Sequence, residues 1–175
     1  MNQQPQILID KSFIKLRVEY LGMVLSDKFA NKNPVFLVVL KGAFLFAADL
    51  IRSCNMDLEI SFLQVSSYQG TESTGKVSTK IPLSSSLKNR HVIIVEDIIE
   101  TGKTLLYLYQ HLQNEDCASI QVVTALHKIN PKVELPPIEL LSAFVIPPAF
   151  VIGYGLDYNQ HQRNLPSIHI HKSNL

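Results

Sequence analysis

Two carboxylates, Glu96 and Asp97, stand just ahead of Thr101-Gly102-Lys103-Thr104 in VIIVEDIIETGKTL, residues 92–105. At the start of a helix the Thr/Gly/Lys/Thr turn would offer unpaired N–H groups, two hydroxyls and a positive dipole end, the requirements of a phosphate site. Carboxylates beside it would repel a bare phosphate. They would instead accept hydrogen bonds from the vicinal hydroxyls of a sugar, or share a hard cation such as magnesium with the phosphate. A sugar phosphate meets both demands. Acid pairs at strand ends are also found as plain solvated turn residues, but here they follow a buried-looking strand and precede an anion-binding turn. The nucleotide-triphosphate loop needs a glycine where this chain has Asp97, and Gly153 and Gly155 lack the third glycine of a dinucleotide fingerprint, since Tyr158 stands there.

The elements that must carry these groups follow from hydrophobic spacing. Val92–Val95 has the continuous apolar character of a strand covered on both faces, and Leu105, Leu108, Tyr109 and Leu112 fall on one helical stripe. Ile14, Val18, Leu21, Leu25 and Phe29 mark a first amphipathic helix ending near Asn33-Pro34. Val35–Leu40 reads as a strand, Ala43–Ser53 as a helix, and Leu58, Ile60 and Phe62 as the buried side of an alternating strand. Ser119–Leu126 is a further strand, and Pro147-Pro148 separates the apolar stretches 140–146 and 149–154. Alternating strands and helices predict a single α/β domain, residues 1–175, with a mainly parallel sheet and its ligands at the carboxyl ends of the strands. The polar stretch 66–90 reads as a long mobile lid loop.

Composition narrows the class. The chain has 175 residues, 46% of them hydrophobic and 18% charged, which suits one soluble globular domain. A net charge of +1 argues against wholesale capture of nucleic acid. No apolar run approaches the ~20 residues of a membrane span. MNQQPQILIDK carries no targeting signal, so a cytoplasmic setting is expected. Cys54 and Cys117 read as buried free thiols, and His169 and His171 as surface histidines without a third ligand.

The central segment resembles the phosphoribosyl-diphosphate (PRPP) motif of the type I phosphoribosyltransferases, and more narrowly their hypoxanthine-guanine branch. The likeness extends to NPVFLVVLKGAFLFAADLIR from Asn33, VSSYQGTESTG from Val65 and FVIGYGLDYNQHQRNLP from Phe150, in the family's order. It implies the family's α/β fold with a small hood, about residues 139–175, over a base site. It implies a magnesium-dependent transfer of phosphoribose from PRPP to hypoxanthine or guanine, releasing pyrophosphate, by a homodimer or homotetramer that engages neither nucleic acid nor membrane. A regulatory PRPP- or nucleotide-binding protein on the same fold, or a xanthine or pyrimidine transferase, are the alternatives.

Carried over residue by residue, the resemblance assigns PRPP to Lys41, Gly42, Glu96, Asp97, Ile98, Ile99, Thr101, Gly102, Lys103, Thr104 and Arg163. Ser67 and Tyr68 would close as a lid. Lys128 would donate to the purine oxygen at C6, Phe150 would stack on the ring, and backbone near Val151 would meet the remaining edge, although Phe150 read alone also suits core packing. Asp157, with Glu96 and Asp97, would hold the metal, and the peptide before Lys41 is often cis in this family. Glu100 would be the general base toward purine N7. The family usually has aspartate there, and the extra methylene moves the acceptor by roughly 1.5 Å. Pro148 and Ala149 also replace the family's usual Asp-Lys before the stacking aromatic.

Overall fold

The structure, a computed structural model, describes residues 6–66, 78–80, 86–130 and 135–171. Its main sheet has six strands in the order β4-β3-β2-β5-β6-β7. These are β2 (Val35–Leu40), β3 (Glu59–Ser66), β4 (Ser78–Lys80), β5 (His91–Ile99), β6 (Ser119–Lys128) and β7 (Glu139–Ile146). All pairings are parallel except that of β4 with β3. A second, three-stranded antiparallel sheet joins β1 (Gln6–Ile9), β9 (Ile168–Ile170) and β8 (Val151–Ile152) as a hood. The hood thus draws on the amino terminus, which no periodicity announced, while residues 139–146 run in the main sheet.

Helix α1 (Lys11–Lys28) and α2 (Phe44–Ser53) cover one face of the sheet, and α3 (Lys103–Leu112) the other. Asp10 starts α1 by accepting a hydrogen bond from the Ser12 N–H at 2.9 Å, which meets one of the orphan donors of the first turn. Strands β2 and β5 are buried along both faces, Phe36, Val38, Ile93 and Val95 toward α1 and α2, and Leu37, Val92 and Ile94 toward α3. Chain order reverses between β2 and β5: from β2 the sheet grows outward through β3 on one side, and from β5 through β6 and β7 on the other. The carboxyl ends of that central pair form the crevice where such sheets bind ligands. No helix among the described residues is long and apolar enough to cross a membrane.

The structure departs from several of these expectations. Strand β5 continues past Val95 through Glu96 and Asp97 to Ile99, because β6 runs beside it and pairs Ile98 with Leu126 and Ile99 with His127. Lys128 accordingly ends β6 and does not follow it. In β3 the expected buried face is reversed: Ile60 and Phe62 are 44% and 52% exposed, whereas Leu63 packs against the α3-side core. Residues 78–80 of the expected lid are a strand, and Ser67 and Tyr68 lie outside the described residues. Cys54 and Cys117 are free but only half-buried, and burial lifts the Cys54 thiol to about 11.

Phe46 of α2 is fully buried and ties the helix behind Gly42 to the sheet core. Phe46→Ala is expected to cost about 3–5 kcal/mol of stability by deleting contacts and opening a cavity. Leu106→Ala, at a position 42% exposed on α3, should cost under about 1 kcal/mol. Denaturant melts of the two variants beside wild type measure both.

Candidate functional site

Chain geometry brings the crevice residues together from three sources. The end of β2 supplies Lys41 and Gly42 across a cis Leu40–Lys41 peptide, the end of β5 supplies Glu96 and Asp97, and the turn after β8 supplies Asp157, Gln160 and Arg163. Together with Val39, Leu40, Gln64 and Thr104 they line a cavity of about 450 Å³. A second cavity, about 250 Å³, is formed by the continuous run Glu96–Leu105. Glu96, Asp97 and Thr104 wall both, so an extended ligand could pass from one to the other.

Close packing, and not hydrogen bonding alone, sets this geometry. A Cβ added at Gly42 would fall 1.5 Å from Asp97 Oδ2, and one added at Gly155 would fall 2.1 Å from the Gly42 carbonyl oxygen. Gly155 also has φ +98°, a conformation side chains disfavour. The pair Gly153/Gly155, with no role as a nucleotide fingerprint, therefore forms the turn that presses the hood's edge onto the Lys41–Gly42 loop. Arg163 donates to the Gly155 carbonyl at 2.7 Å and pairs with Asp157 at 2.7 Å. Gln160, which the sequence reading missed, accepts from Arg163 at 3.3 Å and Lys41 at 3.5 Å. The signal for it was local: Asp157 accepts from the Gln160 N–H at 2.8 Å, an aspartate-initiated turn.

Electrostatics single out the two strand-end acids. Burial, then its neighbour Asp97, holds the Glu96 carboxyl well above the usual range, and Glu96 Oε2 is sealed from solvent with no hydrogen-bond partner among the described residues. Burial likewise pushes Asp97 up to about 6, against the pull of hydrogen bonds including one from the Ile98 N–H at 2.8 Å. Glu96, Asp97 and Asp157 face one cavity but do not close into a preformed three-carboxylate metal cage among the described residues. A cation held there would need further oxygens from a ligand or water, the usual arrangement for magnesium.

On the other side of β5, Glu100 is exposed and forms an ion pair with Lys128 at 2.9 Å, whose side chain is only 8% exposed. Thr101 and Gly102 make the turn, Gly102 is the residue before the first helical turn, and Lys103 and Thr104 open α3. Ile98 and Ile99 are strand residues, so the loop proper is only 100–102. Phe150 is 47% exposed, which removes core packing as its explanation, and the edges of Tyr158 and His171 brace it at centroid distances of 5.9 and 5.5 Å. Val151 beside it is buried. The reading of His169 and His171 as surface residues does not hold: both are half-buried, and the His171 ring lies 4.2 Å from that of Tyr158. Lys128 and Phe150 thus lie at opposite sheets, β6 and the hood.

Comparison with known proteins gives a consistent result. The family model described as phosphoribosyl transferase domain matches residues 5–159. A hypoxanthine-guanine phosphoribosyltransferase of Streptococcus pneumoniae is 38% identical over 99% of this chain and 97% of its own length. A hypoxanthine-guanine-xanthine phosphoribosyltransferase of Tritrichomonas foetus is 37% identical, with 100% and 96% covered. A crystal structure of a hypoxanthine phosphoribosyltransferase from Staphylococcus aureus superposes with a TM-score of 0.86 at 40% identity, covering 95% of this chain and 91% of that one.

A carboxyl whose folded-state pKa lies above its unfolded value costs stability once it ionises, a cost present at neutral pH and withdrawn as pH falls through the folded pKa toward the unfolded one. For Asp97 that window runs from about 6 down to the ordinary 3.8. Asp97→Asn, melted in chelator, is therefore expected to be more stable than wild type at pH 7.5, by up to about 3 kcal/mol, with the gap roughly halved at pH 5 and closed as pH approaches 3.8. Comparison with the variant isolates this effect from His91, which burial depresses and which works in the opposite direction on acidification. A gap that stays constant with pH would refute it.

Proposed function

The chain belongs to the phosphoribosyl transferase domain family, and on that premise we propose that it transfers the 5-phosphoribosyl group of PRPP to hypoxanthine, and also to guanine, giving the nucleoside monophosphate and pyrophosphate in purine salvage. The observation that carries the reading is the pair of adjoining cavities that share Glu96, Asp97 and Thr104 as walls. One is lined by phosphate-binding loop residues. The other gathers Lys41 and Arg163, the cations suited to a pyrophosphate. A ribose spanning the shared wall would have both its phosphate ends matched.

In this mechanism the amides opening α3, with the hydroxyls of Thr101 and Thr104, hold the 5-phosphate, and Glu96 and Asp97 accept hydrogen bonds from the ribose hydroxyls. Lys128 donates to the oxygen at C6, Glu100 faces the adjacent N7, and Phe150 covers the ring. Purine N9 attacks C1 as the bond from C1 to pyrophosphate breaks. The bonding electrons leave with pyrophosphate, where Lys41 and Arg163 neutralise them, and the N7 proton passes to Glu100. Binding energy from the phosphate ends orients C1 for this displacement.

Magnesium suits the donor set, because Glu96 Oε2 lacks a partner among the described residues and Asp97 and Asp157 stand on the same wall. When bound it would offset charge on the phosphate oxygens. Ser67 and Tyr68 are proposed to shield the centre from water, and a cytoplasmic setting and self-association belong to the same proposal.

A panel of hypoxanthine, guanine, xanthine, adenine and uracil with PRPP and magnesium tests the reading. Turnover of hypoxanthine is expected, and nucleotide-dependent RNA binding without turnover would overturn it. Lys128→Met removes one charge-assisted hydrogen bond and should lower kcat/KM for hypoxanthine about 10- to 100-fold. Glu100→Asp separates two outcomes: equal rates mean the longer arm is harmless, and a gain means that its pairing with Lys128 slows the wild type.

A further inference from the structure

Gly153, Tyr154 and Gly155 form a run of left-handed backbone, with φ of +92°, +50° and +98°. The two glycines adopt it freely, whereas Tyr154 holds a side chain there at a cost in free energy. What the tyrosine supplies is reach. Its ring is buried, and its hydroxyl donates to Asp49 Oδ2 at 2.8 Å across 105 residues of chain. Asp49 lies in the second turn of α2 and pairs through its other oxygen with Arg52. Burial, reinforced by the Asp49 carboxylate, holds the Tyr154 phenol far above its usual range, so it stays a donor throughout neutral pH. Packing alone does not fix this contact, because Tyr154 and Asp49 border a cavity of about 470 Å³ between α1, α2 and the hood, lined also by Val18, Leu45 and Pro166.

Each end of the bond leads to the same loop. On the hood side the next residue is Gly155, set so closely against the Gly42 carbonyl oxygen that an added Cβ would fall 2.1 Å from it. On the helix side α2 runs back through Phe44 and Ala43 to Gly42. The start of α2 has little of its own to hold it. It carries no side-chain cap, and the bonds from the Ala43 N–H to the Val39 carbonyl and from the Phe44 N–H to the Lys41 carbonyl are long, at 3.3 and 3.4 Å. The position of Lys41 and Gly42 therefore depends on what presses on them from outside.

We propose that Tyr154 and Asp49 are positioning residues for the Lys41–Gly42 loop, joined by one hydrogen bond that clamps the turn of the hood to α2 and so sets the width of the pyrophosphate end of the crevice. Neither residue lines that crevice, so both act through others: Tyr154 through Gly155, and Asp49 through the first turns of α2. The clamp rests on the reading of this loop as the pyrophosphate site and says what holds it in shape. A hydroxyl and a carboxylate remote from the ligand thereby contribute to its binding by keeping the loop ready for it.

Steady-state kinetics with PRPP and hypoxanthine varied in turn test the clamp, beside calorimetric titration of each protein with magnesium pyrophosphate in the absence of base. Tyr154→Phe removes the hydroxyl and keeps the ring. It is expected to raise KM for PRPP and Kd for pyrophosphate roughly 5- to 20-fold, with KM for hypoxanthine within about twofold of wild type. Asp49→Ala is expected to match it, and the double variant to be no worse than either single one, since all three lack the same bond. Asp49→Asn keeps an acceptor for the phenol and is expected to restore wild-type behaviour. A purely structural role would lower the melting temperature and the folded fraction of Tyr154→Phe while leaving its KM for PRPP and Kd for pyrophosphate unmoved, and that result would overturn the clamp alone. Multiplied effects in the double variant, or Asp49→Asn as impaired as Asp49→Ala, would overturn the shared hydrogen bond as the link. A wild type that neither converts hypoxanthine nor binds magnesium pyrophosphate would overturn the functional reading and the clamp together, whereas one that binds pyrophosphate but uses another base leaves the calorimetry to decide the clamp by the same factors.

Discussion

Two adjacent carboxylates withdrawn from water at the crossover of a parallel sheet constrain most of what this chain does elsewhere. Glu96 and Asp97 lie within a strand that runs on to Ile99, so the backbone that carries them cannot shift toward solvent without breaking the β5 ladders. Among the described residues neither forms a salt bridge, although Arg163 and the Ile98 N–H favour the charged form of Asp97. Burial raises both pKa values, and Glu96 leaves one oxygen without a partner. Groups of this kind persist in a fold only where something other than stability holds them, since each uncompensated buried polar atom costs free energy.

The surroundings are organised to hold that arrangement and to complete it with a ligand. Gly42 has no side chain because the Asp97 carboxylate occupies its place, and Gly155 has none because the Gly42 carbonyl occupies its place. This stack of contacts transmits the position of β5 through the β2 loop to the hood. Arg163 then fixes the hood's turn by its bonds to Gly155 and Asp157. Cations and acids are thus present together, Arg163 paired with Asp157 while Lys41, Glu96 and Asp97 form no salt bridge among the described residues. An anionic ligand with hydroxyls, accompanied by a cation, would satisfy both sets at once, whereas either alone would leave the other unbalanced.

Sequence carried the parts of this that depend on short-range periodicity and on chemical type. The buried strands β2 and β5, the inner face of α1 and the stripe of α3 were legible because a continuous apolar run or a regular repeat has few alternative meanings. What escaped was set by tertiary context. The alternation in β3 was read correctly as a strand, but which face is buried depends on how α2 covers the sheet, and it leaves Ile60 and Phe62 exposed. β1 is only four residues long and exists because β9 pairs with it from the far end of the chain. Gln160 entered the site through a turn begun by Asp157, and the Gly153/Gly155 pair gained its meaning only from the approach of Gly42.

Glu100 and Lys128 meet as an ion pair where the proposed reading places the purine. The Glu100 carboxylate lies in solvent yet reaches the nearly buried ammonium of Lys128 at 2.9 Å. For Lys128 this contact offsets the burial of a cation. For Glu100 it ties up the carboxylate, which must leave this pair before it can meet another group. An incoming 6-oxopurine would compete for the ammonium through its C6 oxygen and so free the carboxylate at the moment when N7 arrives beside it. Availability of the carboxylate would then depend on occupancy of the neighbouring donor, which ties proton removal to recognition of the oxygen. An adenine, with an amino group at C6, could not take over the ammonium in this way, and the base would stay paired.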